Sequence, residues 1–189
     1  MQTDLEVQQA IAHLKQGHTL LYPSDTIWGL GCDVFNQKAV EKVFSLKGRA
    51  LQKKCIVLVE NIGQLNQYVD DVPESFWQVL EYATEPITMI YPKVYKLPEY
   101  LLAENGSVAI RWVKQEGFCK SLLKSYKKPL LSTSANVSGE AFSGKFKDIH
   151  QDILKQADYV VNLPQHPVKT KSSTIWEIHL DGSFSILRP

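Results

Sequence analysis

The sequence predicts a single α/β domain, residues 1–189, built on a twisted mixed β-sheet with flanking helices. Amphipathic helical stretches and short apolar runs interleave from end to end, and no linker, internal repeat or low-complexity segment divides them. The chain has 189 residues, 44% hydrophobic and 22% charged, within the roughly 100–200 residues of one domain.

At the start, Thr3-x-x-Glu6 has the spacing of a capping box. Leu5, Val7, Ala10, Ile11 and Leu14 lie mostly on one helical face, and Gly17 stops the pattern, which predicts a helix over 4–16. Thr19-Leu20-Leu21-Tyr22 reads as a strand ended by Pro23, because proline cannot donate to a sheet ladder. Asn36 caps a helix over 37–46, Cys55 to Val59 is an apolar strand, and a helix follows Pro73 carrying Phe76, Trp77 and Leu80. Further strands read at 87–91, 107–112, 129–133 and 158–162, with helices at 116–127 and 148–157. Near the end, Ser173 to Ile178 is β-rich and Asp181-Gly182 signals a turn before Phe184 to Leu187, predicting an antiparallel hairpin.

Composition removes several function classes. With 21 Lys+Arg against 20 Asp+Glu the net charge is +1, so any hold on nucleic acid needs a local basic cluster. Cys32, Cys55 and Cys119 form an odd set without C-x-x-C spacing, which gives neither a disulfide framework nor a zinc knuckle and fits a reducing, cytoplasmic compartment. No apolar run approaches the ~20 residues that cross a bilayer, and the opening residues lack the features of a secretory signal, so no membrane association is expected. His13, His18, His150, His166 and His179 are scattered, and no H-E-x-x-H, Walker A sequence or nucleophile elbow occurs. Covalent catalysis and a protein-held metal have no support.

Three segments carry chemistry. Tyr22 to Asp33 reads as a loop after a strand, holding hydroxyls, Asp25 and the glycines Gly29 and Gly31; it is either a ligand loop or a turn satisfying its own backbone. In Lys47-Gly48-Arg49, followed by Lys53 and Lys54, an extended backbone would point Lys47 and Arg49 the same way, toward one polyanion and within reach of solvent. The alternative is a solvated basic turn at a helix C-terminus. Leu130 to Gly139 is an apolar strand running into Ser132, Thr133, Ser134, Asn136 and Ser138; Ser134 and Asn136, two apart, would share one face of an extended chain, unless the cluster is a cap or turn. Arg111 in an apolar strand needs an anion if it is buried, and Arg188 lies near the chain end.

Together these pieces resemble the Sua5/YciO/YrdC family, and within it the single-domain YrdC type of threonylcarbamoyl-AMP synthase. The likeness runs in order from Tyr22-Pro23-Ser24-Asp25-Thr26 through Lys47-Gly48-Arg49, Pro86-Ile87-Thr88, Val108-Ala109-Ile110-Arg111, Ser132 to Gly139 and Ser173-Thr174 to Ile186-Leu187-Arg188-Pro189. The resemblance implies a concave basic cavity and a nucleotidyltransferase that makes threonylcarbamoyl-adenylate and pyrophosphate from L-threonine, bicarbonate and ATP, for the N6-threonylcarbamoyladenosine of tRNA position 37.

By the same likeness Lys47, Arg49, Ser134 and Asn136 are the catalytic set. Thr26, Arg111 and Ser173 hold threonine, while Lys47, Arg49, Lys53, Thr88, Thr133, Ser134, Asn136, Ser143 and Arg188 line the ATP side. Mg2+ arrives with ATP, and tRNA or the proteins of the later transfer step are further partners. Ala50, Lys54, Cys55, Glu85 and Val113 depart from the family pattern, and ending at Pro189 implies that the extra domain of the longer Sua5 type is absent. An RNA-binding or ribosome-maturation module, and a YciO-like nucleotide-binding paralogue without synthase activity, are the competing readings.

Overall fold

The computed structural model describes residues 2–48, 55–70, 72–140, 142–163 and 171–189. Among them the helices are α1 (Gln2–Lys15), α2 (Gln37–Leu46), α3 (Ile62–Leu65), α4 (Glu74–Tyr82), α5 (Phe118–Tyr126) and α6 (Gln151–Gln156). The strands are β1 (Leu20–Pro23), β2 (Trp28–Asp33), β3 (Ile56–Val59), β4 (Ile87–Tyr91), β5 (Val108–Trp112), β6 (Leu130–Ser134), β7 (Tyr159–Val160), β8 (Thr174–Ile178) and β9 (Phe184–Arg188). They form one mixed sheet in the order β7-β1-β2-β6-β3-β5-β4-β8-β9. The pairs β1/β7, β3/β5 and β4/β8 are parallel, and the other neighbours are antiparallel. Among the described residues no helix is long and apolar enough to cross a membrane.

Helices pack on both faces, as alternation of apolar side chains along strands requires. On one face Val7, Ala10 and Leu14 of α1 and Leu122 and Leu123 of α5 cover Leu20, Tyr22, Leu58 and Leu130. On the other, Val40, Val43 and Phe44 of α2, Phe76 and Leu80 of α4 and Ile153 of α6 cover Leu21, Leu30, Val57, Leu131, Met89 and Ile110. The register pairs Gly29 with Ser134, Gly31 with Ser132 and Leu58 with Arg111. Ser132, Ser134 and Arg111 therefore belong to the α1/α5 face, and Thr88, next to Met89 opposite Ile110, joins them.

Several local expectations change. The Thr3–Glu6 capping box does not form, because α1 already runs from Gln2; Glu6 is buried instead and accepts hydrogen bonds from the Tyr159 hydroxyl (2.6 Å) and the Asn162 amide (2.9 Å). Most of the expected loop between Tyr22 and Asp33 is strand β2, with a turn only at 24–27. A Cβ on Gly31 would lie 2.1 Å from the Leu131 carbonyl oxygen and 3.2 Å from the Tyr22 ring, so the glycine makes room for close packing rather than for a phosphate. The strand expected over 158–162 is only Tyr159–Val160, and the helix expected over 148–157 is α6, which begins after His150 accepts the Asp152 amide (3.2 Å). The short α3 was not expected. Elsewhere boundaries agree closely: Asn36 caps α2 by accepting the Ala39 amide at 3.0 Å, and Asp181 and Gly182 turn the β8–β9 hairpin.

Candidate functional site

Lys47 is the C-cap of α2, at φ −90° and ψ −4°, and Gly48 follows at φ +62°. Neither is extended, so the expected side-by-side alternation of Lys47 and Arg49 along a strand does not hold at Lys47. Arg49, Lys53, Ala50 and Lys54 lie outside the described residues. Lys47 is also not solvent-reachable: it is 1% exposed. Packing of α2 on the sheet carries its stem inward, and its ammonium meets the end of β6. Nζ donates to the carbonyl oxygens of Ser134 (2.6 Å) and Asn136 (2.8 Å), with the Ser134 hydroxyl and Asn136 Oδ1 each at 3.3 Å. Oxygen dipoles replace the water that a buried ammonium loses.

Ser134 and Asn136 do come together, though not by sharing the face of an extended strand. Ser134 ends β6, and the chain then turns so that the Asn136 amide donates to the Ser134 carbonyl at 2.9 Å. The Ser134 hydroxyl donates to Asn136 Oδ1, while Asn136 Nδ2 donates to the carbonyls of Val137 (3.0 Å) and Glu140 (2.8 Å). The Ser138 amide returns a bond to the Lys47 carbonyl at 3.1 Å. The result is one knot of α2 end, β6 end and following turn, rich in donors suited to a polyanion.

A second cluster surrounds Arg111 of β5. Its guanidinium donates through one terminal nitrogen to Asp25 Oδ1 at 2.8 Å, and both side chains are buried, 5% and 3% exposed. Burial of the cation is thus met by a carboxylate from the 24–27 turn. That turn closes on itself: the Ser24 hydroxyl accepts the amides of Thr26 (3.1 Å) and Ile27 (3.2 Å), donates to the Ile27 carbonyl (2.6 Å), and lies 3.0 Å from the Thr26 hydroxyl. Thr88 and Ser173, both buried, share a hydroxyl hydrogen bond at 2.8 Å. Arg188 donates from Nε to the Ser173 carbonyl at 2.9 Å, and from a terminal nitrogen to the Ser173 hydroxyl at 3.4 Å. Burial, together with the charge of Arg111, holds the Arg188 guanidinium below its ordinary value. The two arginines therefore feel one another.

The turn links the two clusters, because Trp28 follows it at the start of β2, where Gly29 pairs with Ser134. Thr88 and Arg188, expected on the ATP side, are bonded to Ser173, expected on the threonine side. Thr133 alternates to the opposite face from Ser134, opposite Leu30. Ser143 is exposed and donates to Asp148; its neighbour Gly144 accepts the Trp28 amide at 3.1 Å, so this segment runs beside the turn. Sequence reasoning assigned no role to Asp25. Its signal was present, as the sole carboxylate of a ligand-type turn in a chain that also holds an arginine needing an anion.

The family model Sua5_yciO_yrdC, described as telomere recombination, matches residues 12–189. A threonylcarbamoyl-AMP synthase of Pseudoalteromonas translucida (strain TAC 125) is 34% identical over 161 residues, covering 84% of this chain and 86% of that protein. Another, from Klebsiella pneumoniae, is 29% identical over 182 residues, covering 93% and 95%. Among solved structures, P. abyssi Sua5 complexed with L-threonine is similar with a TM-score of 0.85 at 21% identity; the match covers 97% of this chain and 53% of that chain, so this chain spans about half its length. E. coli YciO is similar with a TM-score of 0.84 at 22% identity, covering 98% and 89%. These two likenesses concern the fold.

Proposed function

The chain belongs to the Sua5/YciO/YrdC family, and on that premise we propose that it is an L-threonylcarbamoyladenylate synthase: L-threonine + bicarbonate + ATP → threonylcarbamoyl-AMP + pyrophosphate + water. The observation that carries the reading is the pairing of two unlike clusters at one turn. Thr26, Thr88, Ser173 and Arg111 are hydroxyls and a cation fit for a small hydroxy amino acid; Lys47, Ser134 and Asn136 are donors fit for a triphosphate.

In this reading Arg111 faces the threonine carboxylate, and the hydroxyls of Thr26, Thr88 and Ser173 address its hydroxyl and amine. The amine nitrogen attacks the carbon of bicarbonate, and loss of water leaves a carbamate. A carbamate oxygen then attacks the α-phosphorus of ATP, forming an O–P bond while the bond to the pyrophosphate oxygen breaks. No protein nucleophile is required: orientation and neutralisation of phosphate charge carry the catalysis. Lys47 and Arg49 are assigned to that charge, and Ser134 and Asn136 to positioning the phosphates. For Lys47 this means exchanging carbonyl partners for phosphate oxygens.

Mg2+ neutralises and chelates the phosphates of ATP. In this reading it would arrive with ATP, as the MgATP substrate. Threonylcarbamoyl-AMP would be consumed in tRNA N6-threonylcarbamoyladenosine formation, with tRNA or the transfer proteins as downstream partners.

Purified protein with MgATP should release pyrophosphate only when L-threonine and bicarbonate are both present. Pyrophosphate without threonine would exclude the synthase. Its complete absence, with nucleotide still bound, would favour a YciO-like binding protein, and tRNA binding without turnover would favour an RNA-binding module.

A further inference from the structure

Three features of the Arg111 cluster combine. First, Arg111 spends one terminal nitrogen on Asp25, and its buried Nε has no hydrogen-bond partner among the described residues. A buried donor left unpaired costs free energy unless a ligand meets it. Second, the Arg111–Asp25 pair is buried, 5% and 3% exposed, and the Thr88 and Ser173 hydroxyls are bonded to one another on the same face, so the unspent guanidinium donor sits among hydroxyls in an enclosed cluster suited to a small polar anion. Third, Asp25 and Arg111 are 86 residues apart in sequence and lie on opposite sides of β6 and β3. Their ion pair ties the β1–β2 turn to β5, three places from β2 in the sheet. The turn is braced internally by Ser24, which bonds the Thr26 and Ile27 amides and the Ile27 carbonyl, so Thr26 is held in the same turn as Asp25.

We propose that Asp25 is the positioning residue for the amino-acid substrate: it aims the Arg111 guanidinium so that Nε remains for the substrate carboxylate, and it holds the Thr26 hydroxyl beside that cation. The inference rests on the synthase reading and deepens it. Without the Asp25 charge, Arg111 is a buried cation that has lost its carboxylate partner, and both the aim of the fork and the tether of the turn are lost. Lys47 donates to Ser134 and Asn136 whereas Asp25 pairs with Arg111, so the nucleotide end should be spared.

The test is steady-state pyrophosphate release by the full chain, varying L-threonine and ATP separately, with L-threonine binding followed in parallel by calorimetry. Asp25→Asn should raise the threonine KM and Kd at least tenfold and leave the ATP KM within about twofold. Asp25→Glu keeps the charge but displaces it by one methylene, and should raise the threonine KM about two- to fivefold. If Asp25→Asn does not fold, Asp25→Glu carries the test alone. A threonine KM unchanged in the folded variants overturns the proposal. Equal losses toward threonine and ATP also overturn it, in favour of a general structural role. Threonine-dependent pyrophosphate release by the unsubstituted protein tests the synthase reading itself, whereas the variant-to-parent ratios for threonine test Asp25.

Discussion

The Lys47 ammonium donates to the Ser134 carbonyl oxygen at 2.6 Å, joining the end of α2 to the end of β6 across 87 positions of sequence. With the Asn136 carbonyl as its second close partner, this lysine shapes the turn that it serves. Lys47→Met keeps the stem and removes the charge and its donors. Charged hydrogen bonds contribute about 1.5–3 kcal/mol, and in a chain of this size each kcal/mol is worth about 2–4 °C in Tm. Thermal denaturation should therefore show a fall on the order of 5 °C, and pyrophosphate release should drop at least tenfold. A variant as stable as the parent would mean that the knot does not depend on the ammonium.

Glu6 tests what replaced the capping box. Glu6→Gln retains an acceptor for the Tyr159 hydroxyl and the Asn162 amide and should be nearly as stable as the parent. Glu6→Ala deprives the Asn162 amide of its acceptor, while the Tyr159 hydroxyl keeps Gln9 Oε1, and should cost about 1–3 kcal/mol. If chemical denaturation gives the two variants equal stability, Glu6 does not anchor the β7 edge.

The glycines of the site region separate two kinds of constraint. Gly31→Ala places a Cβ 2.1 Å from a backbone oxygen, which only movement of β6 could relieve, and the variant should lose several kcal/mol or fail to accumulate. Gly48→Ala meets no atom of the described residues within 4 Å and bears the cost of φ +62°, about 1–2 kcal/mol. Soluble yield and urea midpoint should rank Gly31→Ala well below Gly48→Ala.

Asp158 supplies a pH signature. Burial pushes its carboxyl up, but hydrogen bonds from Lys42 and from the Thr19 amide and hydroxyl outweigh that and hold it below its ordinary value. The folded form thus binds its proton less readily than the unfolded chain. The associated stability is present above the unfolded value of about 3.9 and is lost as pH falls through the lower folded value. The Lys42–Asp158 pair is partly exposed, so the ion pair itself contributes only about 0–1 kcal/mol. Asp158→Asn should lower Tm by about 1–3 °C at pH 7, and the difference should shrink toward zero below about pH 3. A difference independent of pH would rule out the ionised carboxylate as its source.

Much of the fold was legible because its signals are short-ranged. The Asn36 cap, the strand ended by Pro23 and the Asp181-Gly182 turn each depend on a few neighbouring residues. Strand β2 was obscured because its two glycines resemble loop residues; only the neighbouring Tyr22 ring and Leu131 backbone explain why side chains are missing there. The Lys47 group and the Ser134–Asn136 group were also legible as candidates, but the extended backbone that two-residue spacing would need does not hold at Lys47 or beyond Ser134, where the alternatives of a helix end and a turn apply. One ends a helix and the other enters a turn.

Local pattern was enough for the α/β class, the order and approximate limits of most elements, and the residue types that make the candidate site. Tertiary structure decided their partners. Lys47 meets Ser134 because α2 packs on β2, the neighbour of β6, and Glu6 meets Tyr159 because β7 pairs with β1 beside α1. Asp25 meets Arg111 because the order β2-β6-β3-β5 folds residues 86 positions apart into one enclosed cluster. Caps and turns are bonds between near neighbours, so spacing encodes them. An ion pair between the β1–β2 turn and β5 depends on sheet order and register, which no local spacing specifies.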